Sequence, residues 1–322
     1  MRFCPFVHAR RQLLAGVYLA SGSSFLPFPA AANEQLSGGI FSLCLASLPA
    51  PDPGTIWRTW SFAPEVAIPI VIVCVLYACG RSVLASRNDI RCPTAIEVGF
   101  FIAGVLMLGV AVLSPLCRMA STLAWAHMVQ HAILVAIAPP LILLGRPGAS
   151  FAAVLPLGCS LPFQSFGLAG RPVMAAVIYG TAIWLWHAPN FYQAALLGDG
   201  VHLLMYASLL AVSFSFWRGI VEAVRTPGEH SGPVAMSLLV TIIHTGLLGA
   251  LLTFSQALWY PLVSARGSWG ISPLEDQELA GLIMWVPMGM VYLVAGLAVV
   301  GIWLNALTEL KKPVGETPAA RS

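Results

Sequence analysis

The sequence predicts an all-α membrane protein, a bundle of about seven transmembrane helices behind an N-terminal signal peptide. Three observations carry this. Of the 322 residues, 58% are hydrophobic and only 9% are charged, whereas a soluble domain carries about 25% charged residues. Apolar stretches of about 20 residues, the length that crosses a bilayer, recur along the chain. The basic residues between them alternate in density from one connecting loop to the next, as expected of a multi-pass chain.

In order, residues 1–32 read as a signal peptide. Arg2, Arg10 and Arg11 form a basic region, an interrupted apolar region follows, and Ala30-Ala31-Ala32 fits a small-residue cleavage pattern. A retained first span is the alternative, but Gly16, Ser21, Gly22, Ser23, Ser24 and Pro27 make a poor helix. Residues 33–63, with Pro49, Pro51, Pro53, Trp57 and Trp60, read as an extracytoplasmic, interfacial segment. The membrane domain covers 64–310, with spans at 64–82, 95–116, 121–144, 172–186, 201–220, 233–254 and 279–305. The fourth is short. Residues 311–322 are a polar tail.

Ten basic residues fall on one side of this threading: Arg81, Arg87, Arg91, Arg146, Arg171, Arg218, Arg225, Lys311, Lys312 and Arg321. Only Arg58, Arg118 and Arg266 fall on the other. The excess places the mature N-terminus outside and the C-terminus in the cytoplasm. No Lys/Arg cluster suggests nucleic acid as a partner; membrane lipid is the surrounding medium. The seven cysteines are scattered without a Cys-x-x-Cys pair, so no disulfide or zinc framework is expected and no pairing is readable.

Ionisable residues inside a span are costly and mark functional sites. His127 and His131, four apart in span three, lie one above the other on a single helix face. Counted from the outer end at 1.5 Å per residue, they lie roughly 9 Å and 15 Å deep, and His244 in span six is level with His131. His187 and His202 end span four and start span five at the outer surface. Five histidines on four consecutive spans therefore occupy the outer half of the membrane, a graded column of ligands that suits a metal ion or haem. Two histidines hydrogen-bonded between helices would give the same pair of residues in span three. Spans three to six are expected to surround a polar pocket opening outward.

Other residues complete this expectation. Met128, one position after His127, is expected on a different face, and Met284, Met288 and Met290 in span seven as core filler. Asp276 either caps span seven or orients a histidine through its second nitrogen. Gly246, Gly249, Gly281 and Gly289 permit close approach of spans six and seven. There is no nucleophile with a base, no phosphate loop and no pair of catalytic acids, so an enzyme is not expected.

Four stretches carry a family resemblance. They are His127-Met128-Val129-Gln130-His131 running into Ala138-Pro139-Pro140 and Leu143-Leu144-Gly145-Arg146-Pro147; Trp186-His187-Ala188-Pro189; Leu252-Thr253-Phe254-Ser255 with Trp259-Tyr260-Pro261; and Asp276-Gln277-Glu278-Leu279-Ala280-Gly281. In that order they resemble the polytopic CtaG-like cytochrome c oxidase assembly factors. The resemblance implies a multi-pass protein of a bacterial-type inner (plasma) membrane. It further implies a chaperone role in maturing a copper-containing oxidase, with copper as cargo and oxidase subunits, and an extracytoplasmic copper donor, as partners. By matching position it nominates His127, His131, His187, His202, His244 and Asp276. Relatives often carry a second histidine one turn after His202; here that position is Tyr206. The alternative reading is a haem-binding membrane redox protein with His131 and His244 as axial ligands.

Overall fold

The computed structural model describes Cys44 and residues 52–155, 171–261 and 269–311. The signal peptide, most of the segment up to residue 51 and the tail beyond residue 311 lie outside the described residues. Helices dominate: α1 (Pro64–Ser86), α2 (Ala95–Leu113), α3 (Pro115–Ala120), α4 (Ala124–Ala132), α5 (Ala138–Leu144), α6 (Pro147–Val154), α7 (Pro172–His187), α8 (Pro189–Leu197), α9 (Asp199–Arg225), α10 (Ser231–Phe254) and α11 (Pro273–Lys311). By length and composition, six helical stretches among the described residues can cross a bilayer, and α7 is a shorter apolar seventh. The expected bundle of about seven helices is present.

Helices α4 and α5 form one crossing, Ala124–Leu144, and it is the central one: 67% of its apolar window is buried, against 11% for α1 and 22% for α2. Apolar side chains of α1 such as Ile68, Val71, Ile72 and Val75 are instead exposed, as suits a helix facing lipid. The second and third spans differ from the continuous helices expected over 95–116 and 121–144. Pro115 has no N–H to donate, so the helix stops at Leu113 and Ser114 turns extended. Its hydroxyl accepts from Leu116 N at 3.2 Å and so starts α3.

The central crossing is interrupted by a π-helical turn, Ile133–Ile137. Pro139 lies four residues after Val135 and cannot donate to its carbonyl. That oxygen instead accepts Trp217 Nε1–H at 2.8 Å and Tyr179 OH at 3.3 Å. The Pro139-Pro140 pair thus frees a backbone acceptor in mid-membrane, and side chains of α9 and α7 satisfy it, as a buried carbonyl requires.

At one end of the bundle Glu97 Oε1 meets Arg146 Nε at 3.2 Å and Arg225 Nη2 at 3.9 Å. Arg225 also donates to Leu144 O at 2.8 Å, satisfying the C-terminus of α5. Arg91, Arg146, Arg218 and Arg225, from three loops predicted to share a side, line one cavity of about 560 Å³. At the other end Cys44 and Cys117 form a disulfide. The bond ties the segment before α1 to α3 and corrects the expectation that the cysteines are unpaired. Nothing in their spacing, 73 residues apart, indicates it.

Helices α10 and α11 pack along each other. A Cβ on Gly249 would stand 2.9 Å from Gly281 O, so these two glycines permit the approach expected of them. Gly289 faces open space and plays no such part.

Candidate functional site

The site is built on α4, whose start is fixed from a distant part of the chain. Leu123, the residue preceding the helix, offers no side-chain cap. The first two amides of α4 are taken instead by Asp276: Ala124 N–H donates to Oδ2 at 2.8 Å and Trp125 N–H to Oδ1 at 3.0 Å. A carboxylate at a helix N-terminus satisfies orphan donors and complements the dipole. Asp276 therefore positions the histidine helix through its backbone; its side-chain hydrogen bonds go to α4, neither to the start of α11 nor to an imidazole, the two roles expected of it. Its neighbour Gln277 accepts Trp259 N–H at 2.6 Å and donates to Ala257 O at 3.1 Å, holding the chain after α10 against α11.

Three of the five nominated histidines come together. The His127 and His131 ring centroids are 4.2 Å apart, and His131 and His187 5.9 Å apart. His202 is buried on α9 beside Tyr206. His187 and His202 are not surface residues, as their places at the helix ends suggested: they are 5% and 2% exposed. The short helix α8 and its Tyr192, stacked on Tyr260 at 4.1 Å, cover that end of the cluster. Among the described residues these histidines are buried and do not line an exposed pocket.

The hydrogen bonds of these rings share one pattern. His127 Nδ1 lies 3.3 Å from Ala120 O, His187 Nδ1 2.7 Å from Ile183 O, and His202 Nδ1 2.9 Å from Ala195 O. A carbonyl can only accept, so each Nδ1 carries the proton and each Nε2 keeps its lone pair. The Nε2 atoms of His127, His131, His187 and His202 are buried and without a partner. A lone pair there is costly unless something binds it. A backbone-anchored Nδ1–H with a bare Nε2 is also the arrangement of a metal-ligating imidazole.

His131 and His187 border a small void, about 10 Å³, completed by Met128, Val135, Ile183, Leu209, Met284 and Met288. Its wall residues are all buried. Met284 and Met288 are buried in the core, as expected, and border this void, while Met290 is 52% exposed. Met128 does face away from His127, but three residues separate it from His131, which puts those two side by side.

The remaining nominations fall differently. His244 faces another way. Its ring edge lies against Gly180, it accepts Trp184 Nε1–H at 3.3 Å, and it lines an apolar groove between α7 and α10. It is half-buried and apart from the cluster. Tyr206 stands edge-on to His202, ring centroids 4.4 Å apart, and its hydroxyl accepts from Gln130 Nε2 at 2.8 Å. It packs beside His202 and anchors α4 to α9. Among the described residues no three His, Cys, Asp or Glu side chains converge closely enough to hold a metal ion between them.

Fold and cluster together define a polytopic helical membrane protein whose central helix carries buried imidazoles with bare nitrogens. The chain belongs to the cytochrome c oxidase caa3 assembly factor family (Caa3_CtaG), whose family model matches residues 75–306. The match takes in every histidine of the cluster, the Pro139-Pro140 pair and Asp276. No curated protein and no solved structure matches the chain. An oxidase assembly factor acts on the subunits it helps to assemble, which suggests a role other than catalysis.

Proposed function

We propose that this chain serves the assembly of a copper-containing terminal oxidase by taking up copper at the histidine cluster and passing it to an oxidase subunit. One observation carries the reading: four buried Nε2 atoms without a protein partner, three of them lone pairs on rings oriented by carbonyl acceptors. Neutral imidazole is a good copper ligand, and copper heads the affinity order for divalent ions at such donors. The void beside His131 has room for an ion and not for a macrocycle, which favours copper over a bis-histidine haem. His244, the second axial ligand a haem would need, faces elsewhere.

The cluster is read as lying toward the extracytoplasmic face of a bacterial-type plasma membrane. Two features support this. Disulfides persist in oxidising compartments, and Cys44–Cys117 lies at the end of the bundle from which α4 starts. The arginines that line a single cavity at the other end fit the positive-inside rule. In a chain with Cys4, Cys74, Cys79, Cys92 and Cys159 replaced by serine, cysteines placed at Asp199 and Thr226 test the threading. Impermeant thiol reagent should label the first from outside and spare the second; the reverse pattern refutes it.

The functional reading is tested by the metal content of the purified protein. Stoichiometric copper in the native chain, lost in a His127→Ala/His131→Ala double variant that melts normally, is the expected result. Equal copper in both would overturn it. A colourless protein is expected as well; a stoichiometric Soret band would instead establish haem.

A further inference from the structure

The copper reading leaves a coordination problem. No three imidazole, thiolate or carboxylate side chains converge among the described residues, so a shell of more than two ligands needs other donors. The void at His131 supplies what is missing. Met128 from α4 and Met284 and Met288 from α11 line it together with His131 and His187. Their burial is nearly complete, between 2% and 5% exposed.

The spacing gives this arrangement a structural basis. Met284 and Met288 are four residues apart on one helix face, and Met128 and His131 are three apart on another. The helices that carry them are tied by the Asp276 bonds to Ala124 and Trp125. No charged side chain lines the void, and its volume of about 10 Å³ admits one water-sized particle. An ion entering it must shed its hydration shell and take thioether sulfur in exchange. Soft thioether donors select Cu(I), whereas Cu(II) and Zn(II) prefer nitrogen and oxygen.

We propose that the void between Met128, His131, His187, Met284 and Met288 is a mixed thioether–imidazole site for Cu(I), so that the chain holds its cargo in the reduced state. This rests on the reading of the chain as a copper carrier. Val135, Ile183 and Leu209 form the apolar remainder of the wall and keep water from the metal. His127, its ring 4.2 Å from that of His131, would act as a relay ligand to the void.

The experiment uses the full-length chain in detergent under anaerobic conditions, with Cu(I) titrated against a chromogenic Cu(I) chelator. The comparison is with a Met284→Leu/Met288→Leu double variant. Leucine preserves volume and apolarity, so the fold is retained and thermal melting of the metal-free proteins checks it. Loss of direct ligands should weaken Cu(I) binding by at least the roughly 10–100-fold that supporting-residue changes cost at metal sites. Cu(II) and Zn(II) binding should change little. In protein labelled with selenomethionine, copper-edge X-ray absorption should show selenium in the first shell, reduced in the double variant, where Met128 alone remains.

Native chain that binds neither Cu(I) nor Cu(II) would sink the carrier reading, and this proposal with it. Copper bound without selenium in its shell, at an affinity unchanged in the double variant, would overturn the thioether site alone and leave a histidine-only carrier standing. Should the double variant melt abnormally, the selenium signal in the native chain decides the matter by itself.

Discussion

Asp276 and Ala124 are 152 residues apart in the chain, yet the carboxylate of the first accepts the amide hydrogen of the second at 2.8 Å. The other carboxylate oxygen takes Trp125 N–H. One side chain on α11 thereby sets the start of the helix that bears His127 and His131. Replacing Asp276 with alanine leaves two buried donors unsatisfied and should destabilise the chain by about 2–4 kcal/mol. Asn keeps one acceptor oxygen and no charge, so Asp276→Asn should cost about half as much. Thermal melting of the metal-free proteins gives the ranking, and equal melting of alanine and native chains would refute it.

The histidines should rank by placement and not by depth. His131 and His187 border the void, so alanine at either should abolish stoichiometric copper binding. His127→Ala and His202→Ala should weaken it and slow loading. His244→Ala should leave binding unchanged, because that ring faces a groove between α7 and α10. Copper titration of each purified variant checks the order, and loss of binding in the His244 variant alone would contradict it.

The carbonyl of Val135 offers a coupled test. Trp217→Phe removes its shorter hydrogen bond and should cost about 1–3 kcal/mol, the penalty for an under-satisfied buried acceptor. Pro139→Ala restores an N–H four residues on, so Trp217→Phe should cost less in that background. A double-mutant cycle measures the difference. Additive effects would show that the proline does not create the need for the tryptophan.

Alkylation before and after reduction tests the Cys44–Cys117 bond. Both residues should resist reagent in the unfolded native chain until a reductant is added. Cys117→Ser should lower stability by about 2–4 kcal/mol, as loss of a cross-link across a long loop typically does. The α3 helix that holds Cys117 also supplies Ala120 O to His127 Nδ1. The same variant should therefore loosen copper binding slightly, measured by competition with a chelator.

The bundle was legible because crossing length and apolar composition are local properties of a chain. So was the pairing of His127 with His131, since helical periodicity alone brings them together. The azimuth of a membrane helix is not local. Nothing in the sequence of α10 shows that His244 shares its outward face with Val240, Ile243 and Leu247, all exposed. Depth could be counted, but rotation could not. The methionines were hidden for another reason. Apolar filler and soft ligand are the same residue, and only the three-residue step from Met128 to His131, with the four-residue step from Met284 to Met288, pointed to a shared face. The Asp276 contact left no trace at all, because a side chain that caps a distant helix carries no spacing signal.

The walls around His131 have a kinetic consequence. A chamber with no standing mouth exchanges its contents only when the surrounding helices part, however weakly those contents are held. Release to an added scavenger should then be first order, at a rate set by the opening of the helices and indifferent to scavenger concentration. Long residence in such a chamber is no measure of tight binding. A partner that pried α4 and α11 apart would accelerate the hand-over without touching the metal.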